Sequence, residues 1–365
     1  MNTLIPVEYY TWIFYHLILL VILVTYMQSA TVALDSGSNL KSKDTLGLAL
    51  LITLFLYTGT RPVSGRFFGD MRTYAGAFEQ YQAGEVVRAG KDVYFEYFMK
   101  WSSSVMTLDF FFVLCAGLYL FPLYFACKKL FREYWFYAFL MLAASLSFWS
   151  YGVNGIRNGI ATSLFLLAIT RGKLIWKVGL TIIALLFHKS IMIPAAAYLI
   201  ATNYKNHKLY FGFWLSAIPM SLILGGFWES FFLSLGFGEE ERLAGYLSEG
   251  SEMEEQFSRT GFRWDFLIYS ATGVFAGYYF TIRKKFEDPT YSAILSTYLI
   301  ANAFWILIIR ATFSNRFAYL SWFLLGIVII YPLLKMKFFR NQHVVIAQIL
   351  IAYFMLTYLL NVILK

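Results

Sequence analysis

Long runs of apolar residues, separated by short polar turns, fill most of the chain. A helix needs about 20 apolar residues to cross the hydrocarbon core of a bilayer, and shorter spans are tolerated where neighbouring helices bury them. The pattern therefore predicts an all-α polytopic integral membrane protein with one transmembrane domain, residues 1–365. We expect about twelve spans, near residues 9–34, 46–60, 104–127, 134–152, 153–170, 174–188, 190–203, 209–233, 264–282, 290–310, 315–334 and 343–364.

The composition agrees with this pattern and excludes a soluble globular domain. Hydrophobic residues make up 59% of the chain and charged residues only 14%, with a mean hydropathy of +0.60. Cys115 and Cys127 lie twelve positions apart on one predicted helix, about 18 Å along its axis, so they cannot pair with each other. The first apolar stretch is too long for a cleavable signal peptide and follows no basic residues. No nucleic-acid motif accompanies the net charge of +9, so no nucleic-acid partner is expected.

The distribution of charges predicts the orientation in the membrane. When alternate loops are placed on opposite sides, one side receives sixteen cations and five anions, all in short loops. The positive-inside rule makes this side cytoplasmic, so both termini are expected to face outward. The cytoplasmic cations are Lys41, Lys43, Lys128, Lys129, Arg132, Arg171, Lys173, Lys177, Lys205, Lys208, Arg283, Lys284, Lys285, Lys335, Lys337 and Arg340.

The outer side uses a different kind of cation. Ten of its fourteen cations are arginines, whereas twelve of the sixteen cytoplasmic cations are lysines. Arginine binds phosphate or carboxylate through a planar, two-pronged contact, so this bias indicates recognition of an anion at the outer interface. The alternative is that the arginines extend to the interface and pair with the sixteen outer acids.

Two longer segments are predicted on the outer side. Residues 61–103 form an interfacial loop with an amphipathic helix, because aromatic residues such as Phe67, Tyr74, Phe78 and Tyr81 recur at helical spacing beside charges. Residues 236–262 form an acidic loop with seven glutamates and internal glycines, which suits a mobile lid.

One arginine falls inside an apolar run, in "WSYGVNGIRNGIATSLFLLAI". Arg157 would enter the membrane from the outer face, and charged residues at such depth usually face a bundle interior or a water-filled cavity. Gly155 and Gly159 form a GxxxG pair that permits close helix approach, and Asn158 adds a hydrogen-bonding amide. Either Arg157 serves a ligand, or it reaches a buried acid or carbonyl in a packing helix.

Further polar groups share the predicted outer side. His188 and Lys189 interrupt an apolar run, and histidine is the usual general base near neutral pH, although a helix cap is the alternative. Arg310 and Arg316, with Tyr319, flank a helix hairpin that could hold a diphosphate or merely anchor at the interface.

Two motifs near the ends of the outer segments complete the set of candidates. Arg263 and Asp265 begin a span and either bind a ligand or pair with each other. Asp70, beside Gly69 and Arg72, is the best carboxylate candidate outside the acidic loop.

Four short motifs in order resemble the EpsG-like family of bacterial polysaccharide polymerases of the Wzy type. They are the "GD…Y…F…Y" series from Gly69 to Tyr81, "GIRNGIA", "FHKSIMIP" and "NRFAYLSWF", and the resemblance runs from about residue 60 to 335. The family commonly has glutamine where this chain has Asn158, and the acidic loop after Gly236 matches no family pattern.

The resemblance implies a membrane glycosyltransferase of GT-C-like architecture in the bacterial inner membrane. Such an enzyme joins undecaprenyl-diphosphate-linked repeat units, as donor and acceptor, at the periplasmic face to make O-antigen, capsule or exopolysaccharide. Membrane lipids and a chain-length regulator protein are the other expected partners.

On this interpretation, the catalytic candidates are His188, Asp70 and Arg157. The diphosphate candidates are Arg157, Arg310, Arg316, Arg72 and Arg263, and the glycan candidates are Asn158, Tyr74 and Tyr319. No cofactor or metal is expected, and a divalent ion at Asp70 is kept as the less favoured alternative.

Three other functions remain open at the level of sequence. An O-antigen-type ligase would use a different acceptor, and a membrane O-acyltransferase is disfavoured by an outer His188. A flippase for the lipid-linked unit would be expected to show two similar halves and charges at mid-membrane depth, and neither is found in the sequence.

Overall fold

The computed structural model describes residues 5–87, 92–234, 261–311 and 314–364. All regular secondary structure in these residues is helical. The chain divides into two compact units, one of Met1–Ile191 with Ile330–Lys365 and the other of Met192–Ile329. That the whole chain acts as one transmembrane domain stays a prediction.

The first unit contains long apolar helices and a group of shorter ones. Its helices are α1 (Tyr10–Ser29), α2 (Gly37–Gly59), α3 (Gly65–Phe68), α4 (Met71–Gln82), α5 (Val93–Val105), α6 (Leu108–Phe131), α7 (Trp135–Ala143), α8 (Leu146–Val153), α9 (Ile156–Ile169) and α10 (Leu174–Phe187). The unit is completed by α16 (Gln342–Tyr358) and the end of α15 (Asn315–Lys335).

The second unit consists of α11 (Met192–Asn203), α12 (His207–Ser234), α13 (Trp264–Tyr278), α14 (Pro289–Leu307) and most of α15. A buried polar network ties four of these helices together. The Asn302 side chain accepts from Trp214 at 2.7 Å and donates to the Ser270 and Ser321 hydroxyls at 3.1 and 2.9 Å. Trp322 donates to the same Ser270 hydroxyl at 2.7 Å, so the buried polar atoms satisfy one another.

Six helical segments of the described residues are long and apolar enough to cross a membrane. They are Val7–Ser29, Leu108–Ala143, His207–Trp228, Pro289–Leu307, Asn315–Lys335 and Gln342–Ile363, and two shorter apolar helices are Ile156–Ile169 and Leu174–Phe187. The chain is therefore a polytopic, helical membrane protein. The count of twelve spans stays a prediction.

The span predicted at 134–152 is not one continuous helix. It is split into α7 and α8 at Ala144 and Ser145, where Ser145 has extended backbone angles. The Thr357 hydroxyl of α16 donates to the Ala144 carbonyl at 2.9 Å, which supplies a partner at the break. A hydrophobicity pattern cannot predict this break, because the residues of α7 before it are all apolar and all buried.

Two helices lie within the segment predicted as an outer interfacial loop. Helix α4 buries Met71, Tyr74, Ala75 and Phe78 on one face and exposes Arg72, Thr73, Glu79 and Gln80 on the other. Helix α5 follows it. Of the acidic loop predicted at 236–262, all but Gly261 and Phe262 lies outside the described residues.

Candidate functional site

The candidate site lies at the junction between α8 and α9. The chain turns through Asn154 and Gly155, and Arg157 lies in the first turn of α9. At Gly159, an added Cβ would lie 2.7 Å from the Tyr151 carbonyl oxygen, so α8 and α9 touch through backbone here. The predicted close approach at the glycine pair therefore occurs at Gly159, and it fixes the start of α9 against α8.

A buried carboxylate joins the two polar motifs that the sequence singled out. Arg157 Nη1 lies 3.2 Å from Asp92 Oδ2, and His188 Nδ1 lies 2.6 Å from the same oxygen. The Lys189 backbone N–H donates to Asp92 Oδ1 at 3.1 Å. Asp92 thus uses its two carboxylate oxygens to bind Arg157 of α9 and two residues of the turn after α10.

Burial differs among the three side chains in a way that matters for function. The Asp92 side chain is 4% exposed, whereas those of Arg157 and His188 are 23% and 19% exposed. The acid is enclosed by its partners, and the cation and the imidazole keep part of their surface open to solvent. The cluster therefore presents Arg157 and His188, and not Asp92, to a ligand.

Asp92 immediately precedes α5 and has left-handed backbone angles, φ 56° and ψ 41°. Burial alone would raise the pKa of its carboxyl, but the hydrogen bond and charge of His188, the charge of Arg157 and the Lys189 N–H together lower that pKa below its usual value. Asp92 is therefore ionised at neutral pH and can only accept hydrogen bonds. It follows that His188 Nδ1 is the donor in their contact.

Aromatic rings and hydroxyl groups hold the other side of Arg157. Its Nε donates to the Tyr74 hydroxyl at 3.2 Å, and its guanidinium carbon lies 5.9 Å from the centre of the Phe95 ring. Nearby, the Ser190 hydroxyl donates to Asn158 Oδ1 at 3.0 Å, which links α9 to the turn that carries His188. The predicted glycan residues Asn158 and Tyr74 thus lie at the cluster, where Tyr74 contacts Arg157 directly.

Asp70, the alternative candidate for the base, immediately precedes α4, and its role stays a prediction. Its backbone N–H donates to Asn154 Oδ1 at 2.8 Å, and Gly69 before it has φ +54°. A Cβ at Gly69 would lie 2.4 Å from that Asn154 oxygen, so glycine is needed there. No hydrogen bond that the structure gives for the described residues joins the Asp70 carboxylate to His188 or Arg157.

Of the remaining arginine candidates, Arg72 belongs to the first unit, and Arg263, Arg310 and Arg316 belong to the second. Arg72 is exposed on α4 of the first unit. In the second unit, Arg263 binds Asp265 through two contacts of 2.9 and 2.6 Å and covers the Phe266 ring at 3.6 Å, so the two adjacent charges pair with each other.

The hairpin arginines also belong to the second unit. Arg310 is exposed, with Nη2 3.4 Å from the Leu222 carbonyl oxygen and Cδ packed against Gly225. Arg316 and Tyr319 are half-buried in the first turns of α15.

The chemistry of the cluster is that of a positioned base next to a cation. With Nδ1 donating to Asp92, the neutral imidazole carries its lone pair on Nε2 and can accept a proton there. Arg157 uses Nε and Nη1 in its contacts with the described residues, and its other N–H groups can bind an anion. In the described residues no group of three or more His, Cys, Asp or Glu could hold a metal ion.

Asp92 is the functional residue that the sequence analysis missed. An arginine within the apolar zone implies an anionic partner, and that signal is present at Arg157. The sequence offers sixteen outer acids, and nothing in their spacing distinguishes the one that folds against α9.

Comparison with known proteins identifies the family. A family model described as the EpsG family matches residues 46–365, which is most of the chain. No curated protein and no solved structure matches the chain. The matched range includes Asp92, Arg157, Asn158 and His188. The resemblance seen in the four sequence motifs is thereby confirmed, and the chain belongs to the EpsG family.

Proposed function

We propose that the chain is a membrane glycosyltransferase of the Wzy type, which joins lipid-diphosphate-linked oligosaccharide repeat units into a polysaccharide. Membership of the EpsG family supports a polymerase-like role. The observation that carries the proposal is the cluster of Asp92, His188 and Arg157, because it supplies the two things that glycosyl transfer from a diphosphate needs. These are a base for the acceptor and a cation for the leaving group.

His188 is the base in this scheme. Asp92 holds the imidazole through Nδ1, which sets the tautomer and leaves Nε2 to receive the proton of the acceptor hydroxyl. The hydroxyl oxygen attacks the anomeric carbon of the donor glycan as its proton moves to His188. Asp92 then stabilises the imidazolium that forms, as a carboxylate does in hydrolase triads. Asp70 is the alternative base if His188 proves to be a binding group.

Arg157 serves the departing diphosphate. As the bond from the anomeric carbon to the diphosphate oxygen breaks, its electron pair passes to that oxygen and the diphosphate gains negative charge. A guanidinium held in place by Asp92 and Tyr74 stabilises that charge without having to reorient. Arg310, Arg316, Arg72 and Arg263 are proposed as further phosphate contacts, and Asn158, Tyr74 and Tyr319 as glycan contacts.

The wider setting is part of the same proposal. We infer about twelve spans in a GT-C-like architecture, a location in the bacterial inner membrane, and a site on the periplasmic side. The donor and acceptor are undecaprenyl-diphosphate-linked repeat units, and no metal or other cofactor is required. A chain-length regulator protein is the proposed protein partner.

The test is an assay of the purified protein with a lipid-diphosphate-linked repeat unit, in which products are resolved by size. A polymerase gives a ladder of products. His188→Gln should lower turnover by about 10²- to 10⁴-fold, whereas His16→Gln, a change of the same kind on α1, should not. Addition of a single glycan to a foreign acceptor, without a ladder, would favour a ligase instead.

Arg157→Lys gives a second test within the same assay. Lysine keeps the charge but loses the planar fork, so activity should fall strongly while the protein still inserts and folds. Arg171→Lys, just after the other end of α9, is the matched control and should keep its activity. Near-normal activity of Arg157→Lys would return Arg157 to a packing role.

A further inference from the structure

A polar cavity lies in the first unit, and its lining includes none of the residues of the cluster around Asp92. It has a volume of about 400 Å³ and is formed by the turn after α1, the end of α15 and the start of α16. Its lining residues are Ser29 to Asp35, Tyr134, Leu333 to Lys337, and Arg340 to Val344. The proposed transfer reaction uses none of these residues.

Side-chain hydrogen bonds to the backbone hold the walls of this cavity in place. Gln342 accepts from the Phe338 N–H at 2.6 Å and donates to the Leu333 carbonyl at 2.6 Å, which fixes the turn between α15 and α16. His343 donates from Nδ1 to the Val32 carbonyl at 2.6 Å and receives the Tyr137 hydroxyl at Nε2 at 2.8 Å. The cavity is therefore preformed.

The cavity lining is cationic. Lys335, Lys337 and Arg340 line it together with a single acid, Asp35. The first turn of α16 also lines it, so the positive end of a 17-residue helix dipole adds to the field of these cations. The charges give this cavity a net attraction for anions.

A buried lysine, Lys43, contacts a residue next to the cavity lining. Lys43 of α2 is fully buried, and its Nζ binds two neutral oxygens, Thr25 Oγ1 at 3.3 Å and Gln28 Oε1 at 2.5 Å. It also lies 5.1 Å from the centre of the Phe136 ring, and no carboxylate pairs with it among the described residues. Gln28 directly precedes the first lining residue, Ser29. An ammonium without a carboxylate partner costs free energy when buried, and an anion close by would offset part of that cost.

The lining is also amphiphilic, which narrows the class of ligand. Val32, Leu34, Leu333 and Leu334 contribute apolar surface beside the three cations. A free inorganic anion would use only the cationic part, whereas a phospholipid presents a phosphate next to apolar glycerol and acyl groups. Basic pockets between helices on the cytoplasmic side of a membrane are known to suit such headgroups.

We propose that this cavity binds the phosphate headgroup of an anionic phospholipid. The excess of cations in its loops, which include Lys335, Lys337 and Arg340, also assigns the cavity to the cytoplasmic side. Anionic lipids are available on that side. Lys337 and Arg340 bind the phosphate, and the apolar wall accepts the glycerol end of the acyl chains. The site is independent of the transfer reaction at Asp92 and would stand if that proposal failed.

The experiment measures lipid binding to the full chain by native mass spectrometry, with phosphatidylglycerol as the probe and phosphatidylcholine as the zwitterionic reference. The double variant Lys337→Gln/Arg340→Gln removes two exposed lining cations. The control, Lys205→Gln/Lys208→Gln, removes two exposed lysines that do not line the cavity. Phosphatidylglycerol should bind the lining variant about 25-fold more weakly, because each of the two cations contributes roughly a factor of five in affinity. The control should bind as wild type does.

Two further measurements separate the sources of phosphate and check folding. Phosphatidylglycerol should raise the Tm of the wild type and of the control variant, and should do so much less for the lining variant. Inorganic phosphate at millimolar concentration should not displace the lipid. Equal loss in both variants, or no loss in either, would overturn the proposal. Displacement by inorganic phosphate would overturn the lipid assignment and make a free phosphate the ligand.

Discussion

At the scale of single residues, Asp92 determines how the cluster works. It is nearly fully buried, and its two oxygens bind a guanidinium, an imidazole and a backbone N–H. A buried charge is tolerated only when it is paired and hydrogen-bonded, and here both conditions are met. The same contacts orient Arg157 and His188, the two residues that are proposed to act on the substrate.

Removing the charge of Asp92 should therefore impair turnover through His188. Asp92→Asn keeps the size but presents an amide, which no longer favours the Nδ1–H tautomer or stabilises an imidazolium. We expect turnover to fall by about 10²- to 10⁴-fold, and the double variant with His188→Gln to be little worse than either single one. Asp109→Asn removes an exposed acid and is the control. Additive losses in the double variant would contradict coupling between the two residues.

The lowered pKa of Asp92 also predicts how stability depends on pH. Because the folded-state pKa lies below the unfolded value of about 3.9, the ionised carboxylate stabilises the folded protein fully above that value. This contribution is lost as pH falls through the folded-state pKa. The difference in Tm between wild type and Asp92→Asn, measured in detergent from about pH 5 downward, should shrink below about pH 4. A difference that stays unchanged or grows below about pH 4 would contradict this pairing.

The sequence could predict part of this site for a physical reason. Arg157 and His188 stand out because each is a polar group inside an apolar run. Asp92 precedes an amphipathic helix in a polar segment, where an acidic residue does not stand out because solvent exposure is the usual case. Its burial arises only when α5 and the turn after α10 close around it, and that closure is a long-range contact that local pattern does not encode.

At the scale of elements, the junction of α8 and α9 sets the position of Arg157. The GxxxG pair at Gly155 and Gly159 indicates close helix packing, but the two glycines are not equivalent in the structure. A Cβ at Gly159 would lie 2.7 Å from the Tyr151 carbonyl oxygen, whereas one at Gly155 would meet nothing nearer than 3.4 Å. Only Gly159 therefore requires the absence of a side chain.

This difference gives a matched pair of variants. Gly159→Ala should push α9 away from α8, lower the Tm by several degrees and reduce turnover, because Arg157 lies half a turn before it on the same helix. Gly155→Ala should change both quantities little. Thermal unfolding and the polymerisation assay, measured on the two variants side by side, provide the check. Equal effects at both positions would show that the α8–α9 contact does not control the site.

At the scale of the whole molecule, hydrophobicity predicted the class of protein and most of the apolar helices. Six long apolar helices and two shorter ones coincide with predicted spans, because a helix in lipid must be apolar along its length. The division of 134–152 into α7 and α8 was not predicted, since a break buried among other helices needs no polar residue in the sequence. Apolar length identifies what enters the membrane, and tertiary contacts decide where a helix breaks.

The charge pattern makes a prediction about the whole chain that the helices alone do not. Sixteen cations against five anions in alternate short loops predict that those loops lie in the cytoplasm and that both termini lie outside. A reporter fused after Lys365 should therefore be active as a periplasmic phosphatase and silent as a fluorescent protein. A fusion truncated after Arg132, in the loop with Lys128 and Lys129, should give the opposite pair of signals and is the internal control.

The experiment also bears on both proposed sites, because the cluster at Asp92 and the cationic cavity at Arg340 are assigned to opposite faces by the same rule. A fluorescent, phosphatase-silent fusion at Lys365 would exchange those faces. It would place His188 in the cytoplasm, where a periplasmic polymerisation reaction could not use it.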